Sequence, residues 1–408
     1  MSSTDGRVRL AYVVSHPIQY QAELLRRIAA EPGIDLRVFF CSDFSLRSYS
    51  DAGFGVAVQW DVPLNEGYVS TVLPRWRDTM KPSPTRPISR RIFRELRKGV
   101  DGEPFDAVWI HGYATVNAVH ALLGAKALGI PVLLRAESWL ADRVRSSRTL
   151  LLKALAFRVL QQFVDAVLPI GTANARYWAH YFGETFPSFL MPYAVNNAFF
   201  AARAEEAAAT RSQLQNELGL DPTRPVILFA SKLQERKHAD HLLEAFIGLR
   251  ATSDLQPYLL IVGDGEMRAA LEKRAAESGV DGVHFLGFRN QGELPRFFDV
   301  SDVFVLPSRH EAWGLITNEA MAAGLPVVVT GDVGCAADLV RNGENGFVYT
   351  VGDVAALRAA LARTLEPGEP ERMGRRSQEI IANWGYAEDI AGLKAALRHV
   401  TGKHAGGR

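Results

Sequence analysis

Short apolar runs alternate with amphipathic stretches along the whole chain. In the first half the runs are "RLAYVVS", "DLRVFFCS", "DAVWIHG", "PVLLRAE" and "DAVLPIG". Segments such as "YQAELLRRIAA" and "TVNAVHALLGAKALG" lie between most of them. The second half repeats the scheme with "PVILFAS", "YLLIVGDG", "VHFLGF", "DVFVLPS" and "PVVVT". Apolar runs of this length, alternating with helical patterns, predict parallel strands covered on both faces. Two series of them predict two doubly wound, Rossmann-like α/β domains in tandem, expected to face each other across a cleft. The break falls between Met191 and Pro222, where an Asn-Asn pair and an Ala/Glu-rich helix part the two series. The expected first domain is 1–200, completed by a C-terminal helix at 385–408, and the second is 201–384. The segment from Leu46 to Arg91 fits neither pattern. It is rich in Pro, Gly and Trp and shows no period, which leaves a functional or a merely mobile insertion open.

The length of 408 residues agrees with two domains. A net charge of +1 supplies no overall field to attract nucleic acid. The two cysteines, Cys41 and Cys335, are far apart and give no disulfide framework, which suits a reducing compartment. The opening residues hold too short an apolar run for a signal peptide, and no stretch is long enough to cross a bilayer. A cytoplasmic protein is expected, with peripheral contact at the inner membrane face as an option. Cations concentrate between Arg75 and Lys98, amid prolines and few acids.

The second half carries the clearer chemistry. "SKLQERKH" follows an expected strand and precedes a helix from about Ala239. Lys232 and Lys237 there suit a diphosphate, whose charge ammonium groups neutralise. A solvated basic turn at the surface, without structural duties, is the plainer alternative. "IVGDGE" lacks the third glycine of a dinucleotide fingerprint, with Arg268 in its place, and reads as a tight strand-to-helix turn. "DVFVLPSRHEAWGLITNEAMAAG" runs from a strand into a helix. Glu311 lies in the connecting loop, Gly314 and Leu315 at the helix start, and Glu319 within the helix. The opening N–H groups of a helix seat phosphate or sugar oxygens. A loop carboxylate repels phosphate but accepts hydrogen bonds from hydroxyls. The pair therefore fits a ligand with hydroxyls at both ends and phosphates between, as in a nucleotide-sugar. Either glutamate can equally be an ordinary loop or surface residue.

Taken in order, these pieces resemble the family 4 retaining glycosyltransferases of the GT-B fold. "EAWGLITNEAMAAGLPVV" is similar to their Glu-x7-Glu motif, "SKLQERKH" to their basic diphosphate loop, "VGDGE" to the strand turn that follows, and "FLGF" to the strand end that binds the base. "NGENGFVY" resembles their closing hairpin. The resemblance covers most of residues 225–350. It implies that Lys232 and Lys237 hold the diphosphate, Glu311 the hydroxyls of the transferred sugar and Glu319 the ribose. Trp313, Gly314, Leu315, Ile316, Phe288 and Arg289 then line the donor. Lys232 departs from the arginine common at that place and loses bidentate geometry. The resemblance further implies retention of anomeric configuration by attack on the face the diphosphate leaves. Two lysines and a helix N-terminus meet the charge on the leaving group, so no metal and no cofactor is expected. "DVSD" (Asp299 to Asp302) has the wrong spacing for an Asp-x-Asp metal motif.

On the acceptor side the expected residues are His16 and Tyr20 after the first strand and His111 at another strand end. Glu137 ends "PVLLRAE" where relatives carry a histidine, so the position carries over and the role does not. A salt bridge to Arg135 or Arg143 is its structural alternative. The expected partners are a UDP-, GDP- or ADP-sugar and a hydroxyl acceptor, whether glycan, lipid-linked sugar or small metabolite. "RVRSSRTLLLKALAFRVLQQF" (143–163) reads as an amphipathic helix that packs one face on the sheet or lies on a membrane surface. The rival functions are a non-catalytic nucleotide-sugar-binding subunit and a metal-dependent glycosyltransferase.

Overall fold

A computed structural model describes residues 6–402, apart from 48, 52, 54–55, 59–61, 77–82 and 142–144. Arg143 and parts of the 46–91 segment fall outside the described residues. The chain forms two compact units. The first comprises 1–49, 62–193 and 386–408, and the second 50–61 and 194–385.

The first unit is built on six parallel strands: β1 (Val8–Val14), β2 (Ile34–Phe40), β3 (Val69–Val72), β4 (Ala107–His111), β5 (Val132–Arg135) and β6 (Ala166–Val167). Their order in the sheet is β6-β5-β4-β1-β2-β3. The second unit holds six more: β7 (Val226–Ala230), β8 (Tyr258–Val262), β9 (Val283–Gly287), β10 (Val303–Leu306), β11 (Val327–Thr330) and β12 (Gly346–Tyr349). These are also parallel and lie in the order β9-β8-β7-β10-β11-β12. Numbered within each unit, both sheets read 3-2-1-4-5-6, the doubly wound Rossmann order. Every residue of β5, β7, β8, β10 and β11 is buried, as helices on both faces require.

The helices that position functional side chains are α1 (Gln19–Ala30), α2 (Val116–Ala127), α3 (Ser147–Leu160) and α4 (Thr172–Phe182) in the first unit. In the second they are α5 (Ala239–Thr252) and α6 (Leu315–Ala322). The C-terminal helix α7 (Tyr386–Thr401) returns to the first unit. There Asp389 meets the fully buried Arg135 at 3.5 Å, and Lys394 pairs with Glu31.

Two expectations need correction. The 46–91 segment supplies β3, an edge strand of the first sheet, and a short antiparallel pairing of Arg75–Trp76 with Ile88–Ser89. "NGENGFVY" is no hairpin. Asn345 turns the chain by accepting from the Arg341 amide at 2.7 Å, and β12 then runs parallel to β11.

Candidate functional site

A doubly wound sheet opens a crevice where its strand order reverses. In the second unit that point lies between β7 and β10, which are neighbours pairing Ile227 with Val303 and Leu228 with Phe304. The loops leaving their C-terminal ends are Ser231–His238 and Pro307–Gly314. The Arg309 N–H donates to the Arg236 carbonyl at 2.7 Å and ties the two loops together. A short 3-10 turn, Glu235–Lys237, ends at His238 in the left-handed conformation (φ 49°), and α5 starts at the next residue.

This geometry brings Lys237 onto Glu311. The Lys237 ammonium is hydrogen-bonded to Oε2 of Glu311, and Arg236 reaches the same oxygen at 3.3 Å. Lys237 is 6% exposed, so the expectation of a surface loop without structural duties fails at this residue. Burial lowers the Lys237 pKa, Glu311 opposes that shift, and Arg236 and Lys232 add to it. Lys232 sits at the loop's start and is partly buried.

Gly314 forms the entry to α6 with φ +91°. A Cβ there would stand 2.9 Å from Leu306 Cδ2 and 3.0 Å from Val333 Cγ1. The Glu311 backbone bonds to the loop after β11: its N–H donates to Asp332 and its carbonyl accepts from Gly334. Trp313 is buried, donates from Nε1 to Asn318 at 2.9 Å and stacks on Trp384 at 5.6 Å. It acts as a wall of the turn. Leu315 and Ile316 open the helix half-buried. Glu319 lies one turn inside, 8% exposed, and Gln291 donates to its Oε1 at 3.2 Å. Burial pushes the Glu319 carboxyl up to about 8, with Gln291 opposing. Phe288 and Arg289 follow β9, and Arg289 reaches Glu293 at 3.4 Å. Sequence reasoning missed Arg236 and Gln291.

The first unit has its own reversal, between β1 and β4. There Tyr20, His111 and Glu137 meet. Tyr20 donates to Glu137 Oε1 at 2.7 Å, Tyr193 hydrogen-bonds the same oxygen, and His111 Nε2 lies 3.5 Å from it. Among the described residues none reaches Oε2, and the Glu137 side chain keeps 40% exposure. His111 is held from behind: Gln21 Nε2 lies 2.8 Å and the Tyr12 hydroxyl 3.2 Å from Nδ1, and Tyr12 donates to the Gln21 side-chain Oε1. With Gln21 as donor, Nδ1 is the acceptor and Nε2 carries the proton toward Glu137. Burial lowers the His111 pKa, while the hydrogen bond and charge of Glu137 oppose the shift. Burial would raise Glu137, but hydrogen bonds from His111, then Tyr193 and Tyr20, outweigh it and hold it at about 2. His16 is coupled to this network only electrostatically among the described residues, with His111 adding to the burial that lowers its pKa. It pairs with Ser15 Oγ at 2.8 Å, packs edge-on to Phe44, and burial takes it down to about 4. The proposed salt bridge from Glu137 to Arg135 is not formed. Arg135 instead donates to the Met191 carbonyl at 2.9 Å and faces Asp389. Tyr193 and Gln21 carried no motif and were missed.

Among the described residues, His238, Asp240 and His241 bring possible metal-ligand atoms within 4.8 Å of one another. The two imidazoles stack, with ring centroids 4.2 Å apart and planes 4° from parallel. Their lone pairs run side by side and do not converge on one point, so a coordination set is not assembled.

Two Rossmann-like units, each gathering charged side chains at its strand reversal, define a two-domain α/β protein of the GT-B fold. Residues 210–380 match the family described as glycosyl transferases group 1. The chain is 34% identical to 2-deoxystreptamine glucosyltransferase of Streptomyces kanamyceticus over 48% of its own length and 51% of that protein's. It is 30% identical to a GDP-mannose-dependent alpha-(1-6)-phosphatidylinositol monomannoside mannosyltransferase of Mycobacterium tuberculosis, over 57% and 62%. The chain spans about half the length of the curated relatives it matches. HepE of Anabaena, solved with UDP, superposes with a TM-score of 0.70 at 17% identity, covering 96% of this chain and 99% of that one. Residues 210–380 thus resemble the group 1 glycosyl transferases, and the chain has the two-domain GT-B fold of the solved structures it matches.

Proposed function

We propose that the protein transfers a sugar from a nucleoside diphosphate sugar to a hydroxyl acceptor, with retention at the anomeric carbon and without a metal. The observation that carries this reading is the meeting of Lys237, Glu311 and the α6 N-terminus at the strand reversal of the second unit. Cations and helix amides there suit the diphosphate, and the carboxylates at Glu311 and Glu319 suit the hydroxyls on either side of it. In the step itself, the acceptor oxygen bonds to the anomeric carbon on the face the diphosphate leaves. The carbon–oxygen bond to the phosphate breaks, and its electron pair stays on the phosphate. The acceptor proton passes to that same phosphate oxygen. Lys237, Lys232 and the helix amides stabilise the growing negative charge. Glu137, an anion at the strand reversal of the first unit, offers Oε2 to a hydroxyl.

The test is a thermal-shift screen of UDP-, GDP- and ADP-sugars, followed by transfer assays with the sugar that binds. A ligand at a hundred times its dissociation constant stabilises by about 2.7 kcal/mol. Binding without transfer to any hydroxyl acceptor, and without slow hydrolysis, would identify a binding subunit instead. Transfer abolished by a chelator and restored by a divalent ion would refute metal independence. An inverted anomer in the product would refute retention.

A further inference from the structure

Helix α3 is at odds with its place in the first unit. A domain helix turns its apolar face inward, yet α3 buries only Phe157 completely. Phe157 packs among Tyr113, Trp178 and Phe182, and the Lys153 ammonium lies over the Tyr177 and Tyr181 rings. These contacts define the inner side. Leu151, Leu152, Leu155 and Val159 are 50% to 67% exposed. At about 100° per residue, Leu151, Leu155 and Val159 form one stripe, and Phe157 lies roughly opposite Val159. The outward face of α3 is therefore its apolar face, the inverse of the expected packing. Single exposed leucines are ordinary, but a contiguous stripe marks a surface that meets something apolar.

The charge pattern selects what that is. Residues 145–164 contain Arg145, Arg148, Lys153 and Arg158 and no carboxylate. Arg148 and Arg158 are exposed near the two ends of the helix. An apolar stripe flanked by long cationic side chains matches an anionic bilayer, with leucines in the acyl boundary and guanidinium groups at the headgroups. No helix among the described residues is long and apolar enough to cross a membrane. We propose that the outward face of α3 docks the first unit on an anionic lipid surface. The proposal does not depend on the glycosyl-transfer reading.

Flotation of the full chain with vesicles tests it. The chain should float with phosphatidylcholine–phosphatidylglycerol vesicles, much less with phosphatidylcholine alone, and less in high salt. The double variant Leu151→Ser/Leu155→Ser should lower partitioning at least about tenfold. Arg148→Gln/Arg158→Gln should lower it roughly fivefold per cation. Because all four side chains are exposed, both variants should melt like the parent chain, which separates lost docking from lost folding. Two results would overturn the proposal. One is a folded leucine variant that floats like the parent. The other is a parent chain that ignores anionic vesicles but sediments as a dimer that the leucine changes dissolve, making this face an interface between copies.

Discussion

Lys237 and Glu311 are each held by the other. Removing the ammonium leaves Glu311, among the described residues, with Arg236 as its remaining ion-pair partner, at 3.3 Å. Breaking a fully buried pair costs about 3–5 kcal/mol, and here the cost should be about 1–3 kcal/mol because Glu311 keeps some contact with water. Lys237→Ala should therefore lower turnover by about two to three powers of ten and also lower the melting temperature. Adding Glu311→Ala should restore part of the stability and none of the turnover, so an additive double variant would contradict the pairing. Glu319 gives a pH signature. Its ionised form accepts ribose hydroxyls, but without ligand it keeps its proton up to about pH 8. Ligand binding then releases that proton, so affinity should rise with pH by up to about tenfold per unit and level off above pH 8. Calorimetry with an intact nucleotide-sugar, whose diphosphate does not titrate there, checks this, and Glu319→Gln should flatten the slope. In the folded protein alone the sign is reversed: the raised pKa makes a stability contribution present at low pH and lost as pH climbs through 8. Glu137 differs. Held at about 2, it is a weak base at neutral pH. Glu137→Gln should cut transfer by about 10²–10³ through lost charge, leave donor affinity within a few fold, and leave the neutral pH profile unchanged in shape. A folded Glu137→Gln enzyme with normal turnover would make the carboxylate structural.

At the scale of elements, the entry to α6 is fixed by one glycine. Gly314 at φ +91° holds a conformation that other residues adopt at a cost, and a Cβ would press on Leu306 and Val333. Gly314→Ala should cost about 1–3 kcal/mol and turn the opening amides of α6 away from the ligand. Thermal melts and nucleotide titration together check both effects. This turn was legible in the sequence because strand, loop, glycine and helix follow one another locally. The contact between Lys237 and Glu311 was not. It depends on β7 and β10 being neighbours, and sheet order is not written in any local period. Glu137 met the same limit, since its partners come from α1, β4 and the segment after β6. β3 was hidden for another reason. Val69, Thr71 and Val72 are exposed and Ser70 is half-buried, and two of its four residues are polar, so no apolar run announces it. The amphipathic pattern of α3 was visible, but a period alone does not say which face turns inward.

For the whole molecule, alternating apolar runs and helices made two doubly wound units legible, because strands buried on both faces must be continuously apolar. The return of the chain's end to the first unit rests on a different kind of force. Arg135 is fully buried at the end of β5, where it meets Asp389 of α7 and the Met191 carbonyl, with Tyr193 4.8 Å from its guanidinium. Burial pushes the Asp389 carboxyl up to about 7, with Arg135 opposing. A buried guanidinium cannot shed its proton to escape, so α7 supplies a counter-charge that nothing else in the Arg135 contacts replaces. Leu393, Ala396 and Leu397 of α7 are also fully buried, so its removal would expose apolar surface as well. A chain ending at Gly385 should therefore lose the cooperative melting of its first unit, whereas Asp389→Asn, which keeps the packing and the size, should remain folded with a lower melting temperature. Because the raised Asp389 pKa gives a stability contribution present at low pH and lost as pH climbs through about 7, the Asp389→Asn loss should be largest at low pH and should shrink as pH rises toward 7. A truncated chain that melts like the full one would show that the helix is an appendage and that Arg135 is stabilised from within its own sheet.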